Sequence, residues 1–484
     1  MQTHGITLLG LGPGNPQWLT LGASEIINSA SEIYLRTGRH PVVDGFPETI
    51  KTISFDHFFE SEASIEQINA RIVTRILHLG QRPEGVIYAV PGHPLIAEHT
   101  CSEILQQASD HNIPVHIIEG LSLLEPICSS LKISLLPHTS VFDALQLADA
   151  HHPPFPPDHP VLIFNVDRLQ IAAGVKTVLR ATYPQDHLVH LLHHVGSAGQ
   201  FLEELSLEML DSSNHLAPNT TLYLPPLGPS TSLEAFQEIV AHLRAPDGCP
   251  WDREQTHQSL RPNLLEEAYE LVAALDDNDP AAMTEEFGDL LLQIVLHAQI
   301  ASEEGTFNFA DIVHGIHTKI VRRHPHVFGD LNLEGADSVI KNWEKLKDEE
   351  RKANGDESKG LLDGIARAMP SLIQAQTFQK RVARVGFDWP SVQGVLDKIS
   401  EEILEIENAP SLAERNDEFG DLLFALVNWA RWFDIDAESA LRSTNRRFRA
   451  RFSHIEKIAQ QQGRSIAELS LQEMENYWDH AKKL

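Results

Sequence analysis

The hexapeptide EFGDLL occurs twice in this chain, and it constrains the fold of half the molecule. The copies span residues 286–291 and 418–423, and each runs into an apolar stretch, LLQIVLHA or LFALVNWA. Glu and Asp three residues apart share one helix face. Acidic groups held against an apolar core are costly unless something neutralises them. The repeat therefore predicts two acid-bearing helices, each anchored in a core and each facing a neutralising group.

A second acidic helix is predicted directly before each copy. NLLEEAYELVAAL precedes the turn DDNDP and the first copy, and VLDKISEEILEIEN precedes the turn APS and the second copy. Asp279 followed by Pro280 is a typical helix start. Both pieces thus read as helix, short turn, helix, with antiparallel neighbours, and both continue into a third helix with a basic end.

Each pair of helices carries four acids that are expected to converge on one point. The residues are Glu267, Glu270, Glu286 and Asp289 in the first piece, and Glu402, Glu405, Glu418 and Asp421 in the second. Oxygen-only ligands suit a hard cation such as Mg²⁺. For a single pair, a solvated helix face is the better interpretation. The doubled pattern and its apolar flanks favour a metal site in each piece.

The overall charge limits the classes of partner. The 484 residues carry 38 basic and 68 acidic side chains, a net charge of −30, which argues against DNA, RNA or an anionic membrane as a general partner. A small anionic substrate bound through a metal stays compatible. The three cysteines show no paired spacing, the start resembles no signal peptide, and no apolar run reaches membrane-spanning length. We therefore expect a cytoplasmic protein.

The chain changes character near residue 226. Before it, short β-rich runs alternate with helical stretches, which is typical of an α/β domain. The runs are GITLLGLG, GVIYAV, PVHIIEG, PVLIFNV, HLVHLLHHV and TTLYLPP. PPLGPSTS reads as a linker, helices follow it, and the charged segment 347–360 reads as a solvated connection within the helical half. The expected organisation is an α/β domain over 1–226 and two all-α units over 227–346 and 347–484.

The helical half resembles the MazG-type nucleoside triphosphate pyrophosphohydrolases. EEAYE or EEILE followed by EFGD is similar to their EExxE…ExxD signature, and GCPWDREQTHQSL, RRHPHVFGD and QKRVARVGFDWP agree as well. The resemblance implies tandem units that cleave a nucleoside triphosphate to the monophosphate and pyrophosphate. It also implies Mg²⁺ or Mn²⁺ on the four acids and a role in nucleotide-pool cleaning. It also implies a homodimer. A carboxylate beside the ligands could orient or deprotonate water. Glu266 and Glu401 are the catalytic candidates. Each is equally well interpreted as an ordinary exposed glutamate.

Basic residues on the third helices are candidates for phosphate binding. Lys319 with Arg323, and Arg447 with Arg451, lie four residues apart and share a helix face. Basic groups near a helix end also favour the helix dipole without any ligand. NRRFRARF is similar to the family's NEKFERRF stretch, and that resemblance implies nucleotide contacts by Arg447 and Arg451. Lys380 and Arg381 in QKR, and Trp478 in NYWDHAKK, also match family positions near the nucleotide.

Aromatic and histidine residues near these basic groups keep two readings each. Trp478 could stack on a base or pack the last helix. His324 and His326 flank a proline, and we interpret both as residues that close the helix.

Two glycine-containing loops distinguish the amino-terminal domain. Gly10, Gly12 and Gly14 follow the first predicted strand, and Gly92 and Pro94 follow a later one, without the GxGxxG spacing of dinucleotide sites. Together they resemble the tetrapyrrole (corrin/porphyrin) methylases, and the fusion to MazG-type units resembles YabN-like proteins. This implies an S-adenosylmethionine pocket between two α/β lobes.

Two residues depart from the methylase pattern. His93 stands where those methylases usually have an acid, and Glu119 where they usually have a proline.

Two other functions remain open from the sequence. The protein could be an S-adenosylmethionine-dependent methyltransferase, alone or as a bifunctional enzyme. The helical half could also be a metal-stabilised oligomerisation module without turnover.

Overall fold

The computed structural model describes residues 5–59, 64–353 and 360–483, and the amino-terminal part contains two five-stranded sheets. The first sheet is entirely parallel, with strand order β3-β2-β4-β1-β5. Its strands are β1 Ile6–Gly10, β2 Glu32–Leu35, β3 Lys51–Ser54, β4 Val86–Val90 and β5 Val115–Ile118. Its helices are α1 Leu21–Ser29, α2 Asp56–Phe59, α3 Ile65–Gly80 and α4 His99–Asp110. Parallel strands require crossovers, and these cover both faces of a sheet; β1 is accordingly buried at every position.

The second sheet is mixed, with strand order β6-β7-β10-β8-β9. Only β6 and β7 pair in parallel, and the other neighbours are antiparallel. Its strands are β6 Ser140–Asp143, β7 Val161–Phe164, β8 Leu188–His193, β9 Phe201–Ser206 and β10 Thr221–Leu224. Its helices are α5 Leu124–Leu131, α6 Ala144–Ala148 and α7 Leu169–Leu179.

The six strands expected from sequence are all present, and four further strands were missed. The missed strands are β2, β3, β6 and β9. Three of them, β3, β6 and β9, lie at sheet edges, where side chains are partly exposed and no continuous apolar run forms. The fourth, β2, lies inside the first sheet between β3 and β4.

Among the described residues beyond β10, regular structure is helical. The first group is α8 Leu233–Arg244, α9 Pro250–Arg253, α10 Arg261–Asp277, α11 Pro280–Glu303, α12 Phe309–Arg323, α13 Pro325–Phe328 and α14 Ala336–Ala353. The second group is α15 Ser371–Ala383, α16 Val392–Asn408, α17 Leu412–Trp432, α18 Ala437–Gln461 and α19 Leu471–Ala481. None of the described helices combines the length and apolar character needed to cross a membrane.

The chain divides into two compact units, Met1–Val313 and His314–Leu484. The first unit contains both sheets and α8 to α11, and the second contains α13 to α19. The domain borders expected at residues 226 and 346 follow changes in sequence character, and they stay predictions.

The two expected helical hairpins are confirmed. Asn278 ends α10 in a left-handed conformation, and the Asp279 carboxylate accepts hydrogen bonds from the first backbone N–H groups of α11. Ser411 caps α17 in the same way by accepting from the N–H of Glu414. In the first hairpin, Val295 and Ile300 of α11 are buried in an apolar cluster, so the core fixes the rotation of the acid-bearing helix.

Two parts of the helical half differ from expectation. The basic run ends α12, but in α18 it lies in the middle, because buried Ile455 and Ala459 extend the packed face of that helix to Gln461. The expected connection 347–360 begins inside α14, which runs to Ala353, and residues 354–359 lie outside the described residues.

Candidate functional site

The first acid set is brought together by the α10–α11 hairpin. Carboxylate oxygens of Glu267, Glu270 and Glu286 all lie within 4.8 Å of one another. Asp289 follows Glu286 by one helical turn, and its charge raises the pKa of Glu267 and Glu286. Three of the four acids expected to converge are therefore brought together, and Asp289 lies outside this group.

The second acid set repeats this arrangement on α16 and α17. Oxygens of Glu402, Glu405 and Glu418 again lie within 4.8 Å of one another. Glu402 is only 2% exposed, which makes it the most buried of the clustered acids. Asp421 adds to the negative potential at Glu418.

Both sets carry an excess of negative charge that fits a divalent cation. Burial and then neighbouring carboxylates raise the pKa of Glu267, Glu286 and Glu418 above the ordinary glutamate range. One oxygen of Glu286 and one of Glu402 are buried without a hydrogen-bond partner. An all-carboxylate donor set with unpaired oxygens matches the preference of hard cations.

A lysine distinguishes the second set from the first. Lys398 Nζ lies 2.6 Å from a Glu402 oxygen and 2.9 Å from a Glu401 oxygen. The contact with Glu402, and to a smaller extent the contact with Glu401, raises the pKa of Lys398. Sequence reasoning missed Lys398, although its spacing of three and four residues from these acids was a usable signal. When the acid positions are aligned, Asn263 takes its place in the first set.

The two catalytic candidates lie beside the acid sets. Glu401 is exposed and paired with Lys398, and Glu266 is exposed next to Glu267. Their roles stay predictions.

A cavity of about 720 Å³ adjoins the second acid set. Lys398, Glu402 and Asp421 line one part of it. Aromatic side chains of α15, α17 and the loop before α16 line another part, together with Gln379 and Asn428. The volume falls within the range of small-molecule sites. No sequence motif pointed to this cavity.

The basic residues of α12 form local ion pairs. The guanidinium of Arg323 lies 2.5 Å from Glu350 and 5.3 Å from the ring centre of Trp343, and Arg322 also pairs with Glu350. Lys319 is exposed. His324 bonds the carbonyl oxygen of Ile320 at 2.7 Å, as expected for a residue that closes the helix.

The basic residues of α18 lie on a solvent-exposed surface. Arg447 donates to the hydroxyls of Ser443 and Thr444. The guanidinium carbon of Arg451 is 5.6 Å from the ring centre of Trp478, so the structure brings these two predicted residues together.

Trp478 has local packing contacts and lies apart from the cavity lining. Its ring also contacts Phe448 and packs on the cluster of Ile455, Ala459 and Leu469.

The two predicted residues on α15 point to different partners. Lys380 is exposed, and its charge adds to the backbone hydrogen bond from Ser439, which is the main cause of the lowered pKa of Asp436. Arg381 donates to the carbonyl oxygens of Leu361 and Asp363 at 3.1 and 2.8 Å.

The glycine loops of the first sheet meet at the carboxyl ends of adjacent β1 and β4. Gly12 and Gly92 exchange backbone hydrogen bonds of 3.2 and 2.7 Å. A Cβ on Gly10 would lie 2.5 Å from the nitrogen of Gly120, so the backbone approach itself requires glycine there. Gly14 has φ of +138°, and Pro94 is buried. The carboxyl edge of such a sheet is where ligands commonly bind in α/β folds.

Comparisons with known proteins agree with this division of the chain. The family described as the MazG nucleotide pyrophosphohydrolase domain matches residues 255–328. The family described as tetrapyrrole (corrin/porphyrin) methylases matches residues 5–211. The first match covers the α10–α11 acid set, and the second covers both sheets except β10.

Individual relatives extend these matches. The Bacillus subtilis protein YabN is 38% identical over 487 residues, covering 99% of this chain and 98% of its own. The nucleoside triphosphate pyrophosphohydrolase/pyrophosphatase MazG of Thermotoga maritima is 42% identical over 250 residues, covering 51% of this chain and 95% of its own. The nucleoside triphosphate pyrophosphohydrolase of Escherichia coli K12 is 43% identical over 257 residues, covering 52% of this chain and 97% of its own.

Proposed function

This chain belongs with YabN to a family that joins a tetrapyrrole methylase domain to a MazG domain, and we propose that its helical half hydrolyses nucleoside triphosphates to monophosphates and pyrophosphate. The observation that carries the proposal is the second acid set beside a cavity of about 720 Å³. Relatives that match the helical half and bear the name of this activity support it.

The acid sets are suited to hold Mg²⁺, or Mn²⁺, between two helices. Glu402, Glu405 and Glu418 would supply oxygens in the second set, with Asp421 at its edge. A divalent cation supplies charge stabilisation for phosphate oxygens and acidifies water. Glu267, Glu270, Glu286 and Asp289 would hold a cation in the same way in the first set.

The chain's own residues bind and orient the substrate. Lys398, which now contacts Glu402 and Glu401, would bind a phosphate oxygen of the substrate through its ammonium group. Glu401 would accept a proton from the attacking water. Glu266 takes the corresponding position beside the first set. Further contacts to the nucleotide are proposed at Lys380, Arg381, Arg447, Arg451 and Trp478, and at Lys319 and Arg323 on α12. Arg323 would exchange its present partner Glu350 for phosphate.

The test is a product analysis with each ribo- and deoxyribonucleoside triphosphate and Mg²⁺. We expect pyrophosphate and the monophosphate in equal amounts. Release of orthophosphate and the diphosphate would contradict the proposal. Replacement of Glu402 and Glu405 by glutamine should abolish turnover while the oligomer stays intact. If the replacement disrupts the oligomer and turnover is retained, a purely structural metal module is favoured.

A second function is proposed for the amino-terminal domain, namely binding of S-adenosylmethionine. The supporting observation is the convergence of the Gly12 and Gly92 loops at the carboxyl edge of a parallel sheet. Calorimetry with S-adenosylmethionine tests it, and absence of heat at millimolar ligand would contradict it. Methyl transfer would make the protein bifunctional.

The protein is further proposed to be a homodimer. Phe287, Leu291 and Ile294 on α11 are 53%, 38% and 40% exposed, an apolar surface that self-association would cover. Sedimentation analysis at several concentrations is the measurement, and a monomer throughout would contradict this part of the proposal.

A further inference from the structure

One buried amide in the cavity of the second unit has no partner for its oxygen. Gln379 on α15 is 4% exposed and lines the cavity, and its Oε1 has no hydrogen-bond partner. Its Nε2 donates to the carbonyl oxygen of Phe424 on α17 at 2.8 Å. A flipped amide would place two oxygens against each other, so Phe424 fixes which end of the amide is free. A buried acceptor without a partner is costly, and a ligand N–H would remove that cost.

A neighbouring amide offers the complementary group. The Oδ1 of Asn428 accepts a hydrogen bond from Arg431 at 2.9 Å, and Arg431 is itself held by Asp388 at 2.6 Å. This leaves Nδ2 of Asn428, which also lines the cavity, as a donor without a described protein acceptor. The cavity therefore presents one fixed acceptor and one fixed donor.

Flat apolar groups line the same cavity as these two amides. Phe378, Phe387 and Trp389 line the cavity, and Phe387 and Trp389 are 78% and 44% exposed. Gly394 permits the position of Trp389, since a Cβ there would lie 2.7 Å from the indole ring. Aromatic walls with one acceptor and one donor suit a planar heterocycle.

We propose that this cavity is the nucleobase subsite of the second unit, in which Gln379 Oε1 accepts a hydrogen bond from an N–H on the base edge. The proposal rests on the proposed pyrophosphohydrolase function, because the acid set at the other part of the cavity would hold the triphosphate. Every standard base carries such an N–H, so the contact selects for a base with an unblocked edge rather than for one of the four.

The first acid-bearing piece carries apolar residues at the positions that align with the two amides. When GCPWD is aligned with GFDWP on glycine and tryptophan, Ala241 takes the place of Gln379. When the two EFGD segments are aligned, Leu296 takes the place of Asn428. Leu296 is buried in an apolar cluster with Val240 and Val295. These two contacts to a base are therefore proposed for the second piece alone.

The test combines a change in the protein with a change in the base. Gln379→Met removes the free acceptor and keeps the side-chain volume. The matched control is Gln376→Met, one turn earlier on α15. Gln376 is equally buried at 4%, but its amide is fully used by the carbonyl oxygen of Ile435 and the N–H of Ala437. Substrates are UTP and GTP, each compared with its ring-N-methylated form, N3-methyl-UTP and N1-methyl-GTP, with pyrophosphate as an inhibitor that bears no base.

We expect wild type to discriminate against at least one methylated form about tenfold in kcat/KM, and Gln379→Met to lose most of that discrimination. Gln379→Met should also raise KM for the unmodified nucleotide about tenfold, with inhibition by pyrophosphate unchanged. Gln376→Met should lower thermal stability and keep the discrimination.

Two outcomes would overturn the assignment, and they are distinguishable. In the first outcome, wild type hydrolyses UTP and GTP, but it shows no discrimination against the methylated forms, or the same discrimination as Gln379→Met. The base subsite is then refuted and the hydrolytic function stands. If wild type releases no pyrophosphate from any nucleotide, the proposed function fails and the subsite fails with it.

Discussion

The two helical hairpins share an acid set and differ in what surrounds it. In each, three carboxylates from two helices meet within 4.8 Å, and a hydroxyl or carboxylate caps the second helix. Around the second set are Lys398, Gln379 and Asn428; at the aligned positions of the first set are Asn263, Ala241 and Leu296. The cavity of about 720 Å³ adjoins only residues of the second hairpin and its neighbours.

This difference separates two properties that a catalytic site must combine. Four acids at fixed spacing suffice to position a cation, and helix periodicity maintains that spacing in both copies. Recognition of a nucleotide needs polar groups directed into a space of the right size, and in the first copy Leu296 packs in an apolar cluster instead. We therefore expect turnover in the second hairpin and cation binding in both.

The largest expected effect comes from removing acids from one hairpin at a time. Glu402→Gln with Glu405→Gln should lower pyrophosphate release at least about 100-fold, because a catalytic cation contributes several kcal/mol. Glu267→Gln with Glu270→Gln should leave the rate within about twofold of wild type, a difference typical of sites outside the reaction. Steady-state kinetics with matched circular dichroism measures both. Equal losses of pyrophosphate release in the two double variants would contradict the expected difference between the two hairpins.

A smaller effect is expected at Lys398. Lys398→Met should weaken nucleotide binding on the order of tenfold, since a charge-assisted hydrogen bond to phosphate is lost. Without nucleotide, the same variant should bind Mg²⁺ more tightly than wild type, because the ammonium no longer competes for Glu402. Calorimetry measures both affinities. Weaker Mg²⁺ binding in the variant would show that the lysine does not compete with the cation.

Cation binding should stabilise both hairpins by similar amounts. At 100 times its dissociation constant, Mg²⁺ stabilises a site by about 2.7 kcal/mol. Hydrogen exchange of α10 and α16 should therefore slow when Mg²⁺ is added and recover with a chelator. Glu267→Gln with Glu270→Gln should abolish the change in α10 alone. Slowing confined to α16 in wild type would show that the first acid set holds no cation.

The smallest effect is expected at the helix caps. Asp279→Ala and Ser411→Ala each remove an acceptor for the first backbone N–H groups of an acid-bearing helix, at a cost of about 1 kcal/mol. Urea unfolding should detect both losses, with Mg²⁺ affinity changed no more than threefold, or about 0.7 kcal/mol. A loss of Mg²⁺ affinity tenfold or greater would indicate that the cap, rather than the core, fixes the ligand geometry.

The sequence alone predicted the elements that depend on local periodicity. The helix faces of both acid sets, both hairpins and the cap at Asp279 follow from spacings of three or four residues and from turn residues, whereas the cap at Ser411 was found only in the structure. Six of the ten strands followed from continuous apolar runs, whereas edge strands such as β9 were missed because half of their side chains face solvent.

Tertiary structure decided everything that depends on residues far apart along the chain. Gln379, Lys398 and Asn428 lie on three different helices, and only packing of α15 and α16 against α17 places them around one cavity. The free end of the Gln379 amide is fixed by a carbonyl oxygen 45 positions later. Periodicity within one helix does not predict which residues of different helices come into contact. Those contacts depend on how the side chains of neighbouring helices pack together. The acids proposed to hold a cation were thus predicted from the sequence, and the cavity beside them was not.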